Sequence, residues 1–428
     1  MVFALCSFAG CRAAGCGNAQ RDGVSESTVF SGTTMGTSWR VVISHHDGES
    51  ASCRRAVEDL KFKIEEELKR INRMMSAFDS ESELSRFNKH ESTEPFSVSP
   101  ETAYVFDLAQ RISRKTGGAF DITVGGLVNA WGFGTDGRVK SPSDEDLSVL
   151  RDAVGYELYE VDTEANFLRK HNPRVTCTLA GIAKGYGVDR LASVLDENGC
   201  KDYLVDIGGE LRARGRNPDG RIWRVGIERP LVGRREVELV VELENYALAT
   251  SGDYRNYHET EKKILTHTID PRTGLPKTRK LVSATVLHEE CAAADAFATA
   301  MMVLEPSEAK KLGSSLDLPL LLLVREDSGE FVRMMTPGFK ERLQRKTSAQ
   351  NPLPAQSGSM IFTILAAFVF FGMAMLGLGL RKILSGRELH CGCAHKGEIG
   401  HACCAQTGES RTDHQPCSTC KTGGAKGN

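Results

Sequence analysis

Asp295 stands inside a run of small and apolar residues, CAAADAFATAMMVL, that extends from Cys291 to Leu304. Burying a carboxylate among alanines costs free energy unless a partner replaces its lost hydration. Thr299 follows four residues later, and residues four apart lie on one face of a helix. A carboxylate and a hydroxyl are hard oxygen donors, which Mg²⁺ prefers. The pair predicts a divalent cation site; the structural alternative is a helix N-cap Asp and a Thr bonded back to a carbonyl.

A second candidate site is the stretch LAGIAKGYGVDRLA, which places glycines and Lys184 at the predicted start of a helix. Backbone N–H groups and the helix dipole favour phosphate at such a start. The spacing matches neither the G-x-x-x-x-G-K-[ST] loop nor the dinucleotide-binding fingerprint. A phosphate site and a tight strand-to-helix turn with a solvated lysine therefore both remain open.

Two further stretches carry groups able to transfer protons or contact rings. His267, in HTIDPRTGLP, is a candidate base because imidazole titrates near neutral pH. Its alternative role is that of an ordinary hydrogen-bonding side chain. Asp121, in GGAFDITVGGLVNAWGFG, precedes Trp131 and Phe133, which would either stack on a ligand or pack in the core.

These residues need helices and strands to position them, and the pattern indicates both. Helical periodicity appears in SCRRAVEDLKFKIEEELKRINRMM, PETAYVFDLAQRISRKTGG and CTLAGIAKGYGVDRLASVLDENG. Strand-like patterns appear in TSWRVVIS, YLVDIGGELRARG, WRVGIE, VELVVELENYALATSG and LVSATVLH. Because there is no regular βαβ rhythm, we predict an α+β fold with a mixed, partly antiparallel sheet and packed helices.

Composition narrows the class of protein. Of the 428 residues, 40% are hydrophobic and 26% charged, as is usual for a globular protein. The net charge of -2 and the lack of a basic stripe argue against a nucleic-acid partner. We expect the scattered cysteines to be small core residues and not a disulfide framework; they are Cys53, Cys177, Cys200 and Cys291.

The two ends of the chain differ from its middle. Residues 1–16 are similar to a lipoprotein signal with Cys11 as the lipidated residue; a disordered N-terminus is the alternative. Residues 17–345 form the predicted globular domain, followed by a polar linker over 346–359. Residues 360–380 carry no charge over 21 positions, which suffices for a transmembrane helix, and a Cys-rich tail follows at 381–428.

The motifs together point to a known family. MGTSW, FDSESELSRFN, GGAFDITVGGL, AGIAKGYGVDRLA, VDIGGE, ATSGDYRNY, HTIDPRTG and ADAFATA follow in order between about Phe30 and Leu304. In this the chain resembles the ApbE family of FAD:protein FMN transferases. The resemblance implies an Mg²⁺-dependent enzyme that splits FAD and joins FMN through a phosphoester to a Thr or Ser of an exported protein, releasing AMP. The alternatives are an FAD pyrophosphatase giving FMN and AMP, and a non-catalytic FAD-binding or metal-delivery protein.

The resemblance also implies roles for individual residues. Asp295, Thr299 and the backbone carbonyl of Gly181 would bind Mg²⁺, and His267 would accept the proton, so that Asp295 and His267 are the catalytic candidates. The residues that would contact FAD are Met35, Phe78, Ala119, Phe120, Asp121, Thr178, Lys184 and Ile269. Phe78 stands where a Tyr is frequent in the family and Thr178 where an Asp is frequent, so both contacts differ from the common pattern.

The tail adds a separate expectation. Its cysteines occur at C-x-C, C-C and C-x-x-C spacing, which predicts an iron or zinc site; an unstructured thiol-rich end is the alternative. They are Cys391, Cys393, Cys403, Cys404, Cys417 and Cys420. A transmembrane helix followed by such a tail resembles the maturation factor of the sodium-pumping NADH:quinone reductase, which would make a subunit of that complex the FMN acceptor. We expect an inner-membrane protein with its catalytic domain on the periplasmic side and its tail in the cytoplasm.

Overall fold

Helices and strands alternate irregularly in the computed structural model, which describes residues 3–4, 26–46, 51–134, 141–231, 236–253, 257–259, 264–277 and 280–348. All of these belong to one compact unit, Met1–Asn351. The helices are α1 (Ala51–Met75), α2 (Glu83–Lys89), α3 (Pro100–Lys115), α4 (Gly125–Ala130), α5 (Asp144–Arg151), α6 (Ala183–Glu197), α7 (Cys291–Val303), α8 (Pro306–Ser315) and α9 (Pro337–Ser348). The strands are β1 (Phe3–Ala4), β2 (Glu26–Thr34), β3 (Thr37–His45), β4 (Phe96–Ser97), β5 (Tyr159–Asp162), β6 (Phe167–Lys170), β7 (Tyr203–Ile207), β8 (Glu210–Arg214), β9 (Trp223–Glu228), β10 (Val237–Leu243), β11 (Tyr246–Gly252), β12 (Tyr257–Glu259), β13 (Ile264–Thr266), β14 (Leu281–His288), β15 (Leu320–Arg325) and β16 (Phe331–Met335).

The main sheet has eight strands in the order β16-β15-β14-β11-β8-β7-β3-β2. Every neighbouring pair in it is antiparallel. Three smaller sheets have the orders β1-β9-β10, β4-β6-β5 and β12-β13. The predicted α+β class is confirmed, and the main sheet is more uniformly antiparallel than the sequence pattern suggested.

Two strand-like stretches each contain two strands and not one: β7 and β8 pair as a hairpin, whereas β10 and β11 belong to different sheets. YLVDIGGELRARG turns at Gly208 and Gly209, whose φ angles of 66° and 106° favour glycine. VELVVELENYALATSG divides at Asn245, which has a φ of 55°. In both places the apolar pattern continues through the turn, so periodicity alone did not reveal it.

Helix α7 is the buried centre of the helical layer. Of its residues, all but Thr299 are fully buried, and it packs on α6, β11 and β14. The first turn of α6 approaches α7 so closely that a Cβ on Gly185 would lie 2.3 Å from the carbonyl oxygen of Cys291. Glycine at this position is therefore what allows the two helices to meet.

The expectation that no scattered cysteine forms a disulfide was wrong for one pair. Cys53, near the start of α1, is bonded to Cys200, just after α6, at a sequence separation of 147. The two cysteines meet because α1 and α6 pack side by side. The spacing of the cysteines in sequence does not reveal this packing. Cys177 and Cys291 are free and buried, as expected.

Several predicted segments lie outside the described residues. These are residues 360–380, the Cys-rich tail, and all of 1–16 except β1, which pairs with β9. Among the residues that the structure describes, no helix has the length and apolar character needed to cross a membrane. Helix α9 continues to Ser348, three residues into the segment predicted as a linker.

Candidate active site

A cavity of about 400 Å³ opens where the start of α6, helix α7, the end of β11 and the segment 267–271 come together. It collects residues from six of the motifs noted in the sequence. Ten of the predicted site residues line it, and they are Ala119, Phe120, Asp121, Thr178, Gly181, Lys184, His267, Ile269, Asp295 and Thr299.

Asp295 lies at the inner wall of this cavity and is only 2% exposed. Its Oδ2 accepts a hydrogen bond from the backbone N–H of Gly185 at 3.1 Å, and its Oδ1 lies 3.7 Å from Nζ of Lys184. Burial raises the pKa of Asp295, while Lys184 and the Gly185 N–H act in the opposite direction. The carboxylate is inside α7, which begins at Cys291, so the alternative in which Asp295 caps the helix is wrong.

Lys184 is shared between two buried carboxyl groups. Its Nζ lies 2.8 Å from Oε1 of Glu210, a residue that is 3% exposed at the start of β8. Burial acts to lower the pKa of Lys184, but Asp295 and Glu210 outweigh it and raise that pKa above its usual range. Burial raises the pKa of Glu210 to about 7, against the effect of Lys184. Within the described part of the chain, Oε2 of Glu210 is buried and has no hydrogen-bond partner.

Thr299 faces the same wall one helical turn after Asp295. Its Oγ1 lies 3.2 Å from Oγ of Ser251, at the end of β11. A Cβ on Gly181 would come within 2.9 Å of the same Oγ1, so the backbone at Gly181 lies directly against the threonine. The carboxylate, the hydroxyl and the Gly181 backbone are thus brought together on one side of the cavity.

His267 stands on another wall and is 37% exposed. Its Nδ1 lies 3.4 Å from Oδ1 of Asp253, which is buried directly after β11. That carboxylate oxygen also accepts a 2.6 Å hydrogen bond from Oγ1 of Thr268. The ring of Phe133 meets the imidazole edge to face, with centroids 6.5 Å apart. His267 therefore lies between an aromatic ring and a carboxylate.

Asp121 and the two aromatic residues after it have different surroundings. Oδ1 of Asp121 accepts hydrogen bonds from the N–H and the hydroxyl of Thr123, and burial raises the pKa of Asp121. Phe133 lines the cavity. Trp131 is buried and its Nε1 donates to the carbonyl of Gly274, so it packs in the core as one alternative predicted.

Two predicted contact residues do not line this cavity. Phe78 is 81% exposed in the loop after α1. Met35 lies at the β2–β3 turn with a φ of 49° and packs partly against the core. Conversely, Asp253 and Glu210 were missed as site residues, although both belong to quoted motifs, ATSGDYRNY and VDIGGE. The available signal was a carboxylate next to glycine at a strand end.

The fold agrees with that of solved flavin transferases. The flavin transferase ApbE from Vibrio cholerae superposes with a TM-score of 0.67 at 39% identity, covering 74% of this chain and 99% of that chain. The apo flavinyl transferase ApbE of Pseudomonas stutzeri also gives a TM-score of 0.67, at 34% identity, covering 74% of this chain and 97% of that chain. At these identities the likeness extends beyond the fold. This chain therefore falls in the class of flavin transferases.

Sequence comparison defines the family. Residues 35–322 match the profile of the ApbE family. The FAD:protein FMN transferase of Vibrio cholerae is 41% identical over 322 residues, which cover 75% of this chain and 94% of that protein. The enzyme of the same description from Escherichia coli K12 is 37% identical over 322 residues, or 74% and 90% of the two chains. This chain belongs to the ApbE family, and the predicted family and enzyme class are confirmed.

Proposed function

We propose that this protein cleaves the pyrophosphate of FAD and attaches the FMN half, through a phosphoester, to a Thr or Ser hydroxyl of an acceptor protein. AMP leaves as the second product. One observation carries the proposal: a single cavity joins Lys184, the Asp295–Thr299 pair and His267. These groups supply a cation for phosphate, oxygen ligands for a metal ion and a base for a hydroxyl. Membership of the ApbE family supports the same reaction.

Mg²⁺ fits the residues on the inner wall. Two buried carboxyl groups, those of Asp295 and Glu210, share one ammonium group, and Oε2 of Glu210 lacks a partner within the described residues. A divalent cation would offset this excess of negative charge. Asp295, Thr299 and the backbone carbonyl of Gly181 would hold it. In the described ranges no three His, Cys, Asp or Glu side chains cluster around a metal position, so hydroxyl and backbone ligands are needed. When bound, Mg²⁺ stabilises negative charge on the phosphates as a Lewis acid.

The protein's own residues position and deprotonate the reactants. Lys184, in the first turn of α6, would hold the pyrophosphate, and the dipole of that helix start would favour the anion. His267 would take the proton of the acceptor hydroxyl as its oxygen bonds to the phosphorus of the FMN half. The bond from that phosphorus to the bridging oxygen then breaks, and AMP departs. Positioning and charge stabilisation dominate catalysis of such transfers.

The remaining contacts to FAD follow from the family resemblance and from the cavity. Ala119, Phe120, Asp121, Thr178 and Ile269 line the cavity and would surround the dinucleotide. Met35 and Phe78 lie outside the cavity lining, and we keep their FAD contacts as predictions. Phe78 presents an exposed ring that suits stacking on a flavin or an adenine.

The compartment and the acceptor belong to the same proposal. The Cys53–Cys200 disulfide supports a site of action outside the cytoplasm, because disulfides persist in oxidising compartments. We infer a periplasmic catalytic domain anchored by residues 360–380, with lipidation at Cys11, and a cytoplasmic tail that binds iron or zinc. A subunit of a sodium-pumping NADH:quinone reductase, or of a related complex, is the proposed acceptor.

The test is incubation of the purified protein with FAD, Mg²⁺ and a candidate acceptor. Transfer yields a fluorescent, covalently labelled acceptor and one AMP for each label. Free FMN and AMP without labelled acceptor would indicate hydrolysis, and intact FAD would indicate a binding protein. Asp295→Asn should abolish Mg²⁺-dependent turnover, whereas Asp144→Asn, an exposed carboxylate on α5, should leave it unchanged. Wild-type turnover of Asp295→Asn would remove Asp295 from the site.

A further inference from the structure

Asp253 is a buried carboxylate behind the cavity lining, next in sequence to Gly252 of that lining and beside the candidate base. It is 3% exposed and follows the last residue of β11. Its backbone N–H donates to the carbonyl of Val282 on the neighbouring strand β14, which ties the residue to the sheet. The main sheet, and not a loop, therefore sets the position of this carboxylate.

Three contacts hold the carboxylate of Asp253 and the segment of His267 next to each other. Oδ1 of Asp253 lies 3.4 Å from Nδ1 of His267, and it accepts the 2.6 Å hydrogen bond from Thr268. The N–H of Lys277 in turn donates to the carbonyl of Thr268 at 3.0 Å, which holds the segment that carries the histidine. The Nδ1 side of His267 thus faces a buried acid, and its other nitrogen, Nε2, is on the opposite side of the ring.

We propose that Asp253 is the positioning residue for His267 in the transfer reaction, an inference that rests on the proposed function. Asp253 accepts the Nδ1–H of the neutral imidazole, so that the lone pair on Nε2 is available to the acceptor hydroxyl. When Nε2 takes the hydroxyl proton, the imidazolium forms beside a carboxylate that is already in place. A carboxylate in contact with a catalytic imidazole selects its tautomer and stabilises its charged form in just this way.

The other titratable groups of the cavity lining have contacts of their own. The other titratable groups of the lining are Asp121, Lys184, Glu210 and Asp295. Asp121 is engaged by Thr123, and the last three form their own ion cluster. The carboxylate beside Nδ1 of His267 is that of Asp253, at 3.4 Å.

The experiment compares Asp253→Asn, His267→Gln and the double variant in the full-length protein, with AMP release and acceptor labelling as readouts. Asp253→Asn should lower kcat by at least about tenfold. The loss should not exceed the whole contribution of a general base, which is about 10²–10⁴-fold. KM for FAD should stay within about twofold, since the residue does not line the cavity. In the His267→Gln background, Asp253→Asn should cause no further loss, because the two residues act as one unit.

A spectroscopic measurement on the wild-type protein reports the tautomer of His267 directly. The ¹⁵N NMR spectrum of labelled histidine, assigned with His267→Gln, should show the Nδ1–H tautomer for His267 at neutral pH. In Asp253→Asn the Nε2–H tautomer should gain population. Asp107→Asn, a carboxylate on α3 away from the cavity, is the matched control and should change neither tautomer nor kcat.

Three results would overturn the role of Asp253. They are wild-type kcat in Asp253→Asn, an equal further loss when Asp253→Asn is added to His267→Gln, and an Nε2–H tautomer in the wild-type protein. Failure of the proposed function looks different. In that case wild-type protein releases no AMP and labels no acceptor, whatever the state of His267.

Discussion

Replacing Gly185 by alanine should push helices α6 and α7 apart at the point where they build the cavity. The added Cβ would lie 2.3 Å from the carbonyl oxygen of Cys291 and 2.8 Å from Cα of Ala292. Both are backbone atoms, so no side chain can rotate away. Ordinary contact begins near 3.4 Å, which requires a displacement of about 1 Å. The hydrogen bond from the Gly185 N–H to Asp295, now 3.1 Å long, would be stretched or broken by such a shift.

The change that Gly185→Ala makes in the free energy of unfolding has three contributions. Overpacking costs about 1–3 kcal/mol, and loss of a hydrogen bond to a buried carboxylate costs about 1.5–3 kcal/mol. The better helix propensity of alanine returns about 1 kcal/mol. We therefore expect Gly185→Ala to lower the free energy of unfolding by about 2–5 kcal/mol. Turnover should fall about 100-fold, because a 1 Å misplacement of positioning groups has an effect of that order.

Gly187→Ala is the matched control in the same helix. There the Cβ would meet the ends of three side chains, Ile207 at 3.0 Å, Met35 at 3.4 Å and Ile71 at 3.9 Å, which can adjust. Its stability should lie within about 1 kcal/mol of the wild type. Urea unfolding of all three proteins, with AMP release measured in parallel, makes the comparison. If Gly185→Ala proved as stable as Gly187→Ala and turned over FAD normally, the close approach of α6 and α7 would be refuted.

Two other predictions concern stability. Burial raises the pKa of Asp206 to about 6 from 3.8. The folded protein therefore holds the carboxyl proton more tightly than the unfolded chain does. Stability is lost as the pH rises from about 3.8 through about 6. Asp206→Asn should therefore raise the free energy of unfolding by about 3 kcal/mol at pH 8 and by little at pH 4; equal gains in urea titrations at both values would contradict this. Reduction of the Cys53–Cys200 disulfide should lower that free energy by about 2–5 kcal/mol. Wild-type protein in reductant should then unfold at the same urea concentration as Cys53→Ser, and a midpoint insensitive to reductant would count against the bond.

Features that depend on neighbours in sequence could be read from the residues. Helices α1, α3 and α6 correspond to the stretches that showed helical periodicity, with α1 starting one residue earlier, because that periodicity is local. The convergence of Asp295 and Thr299 needed only the spacing of one helical turn. The quoted motifs were sufficient to indicate the ApbE family.

Features that depend on distant segments appeared only once the chain was folded. The Glu210 carboxylate meets Lys184 because β8 lies beneath α6, and Cys53 meets Cys200 because α1 runs beside α6. Asp253 reaches His267 through the position of β11 in an eight-stranded sheet. Such pairs arise from strand order and helix packing, to which many weak contacts along the whole chain contribute. No spacing within a single motif encodes them, so the sequence pointed to the chemistry of the site while tertiary packing decided which groups act together.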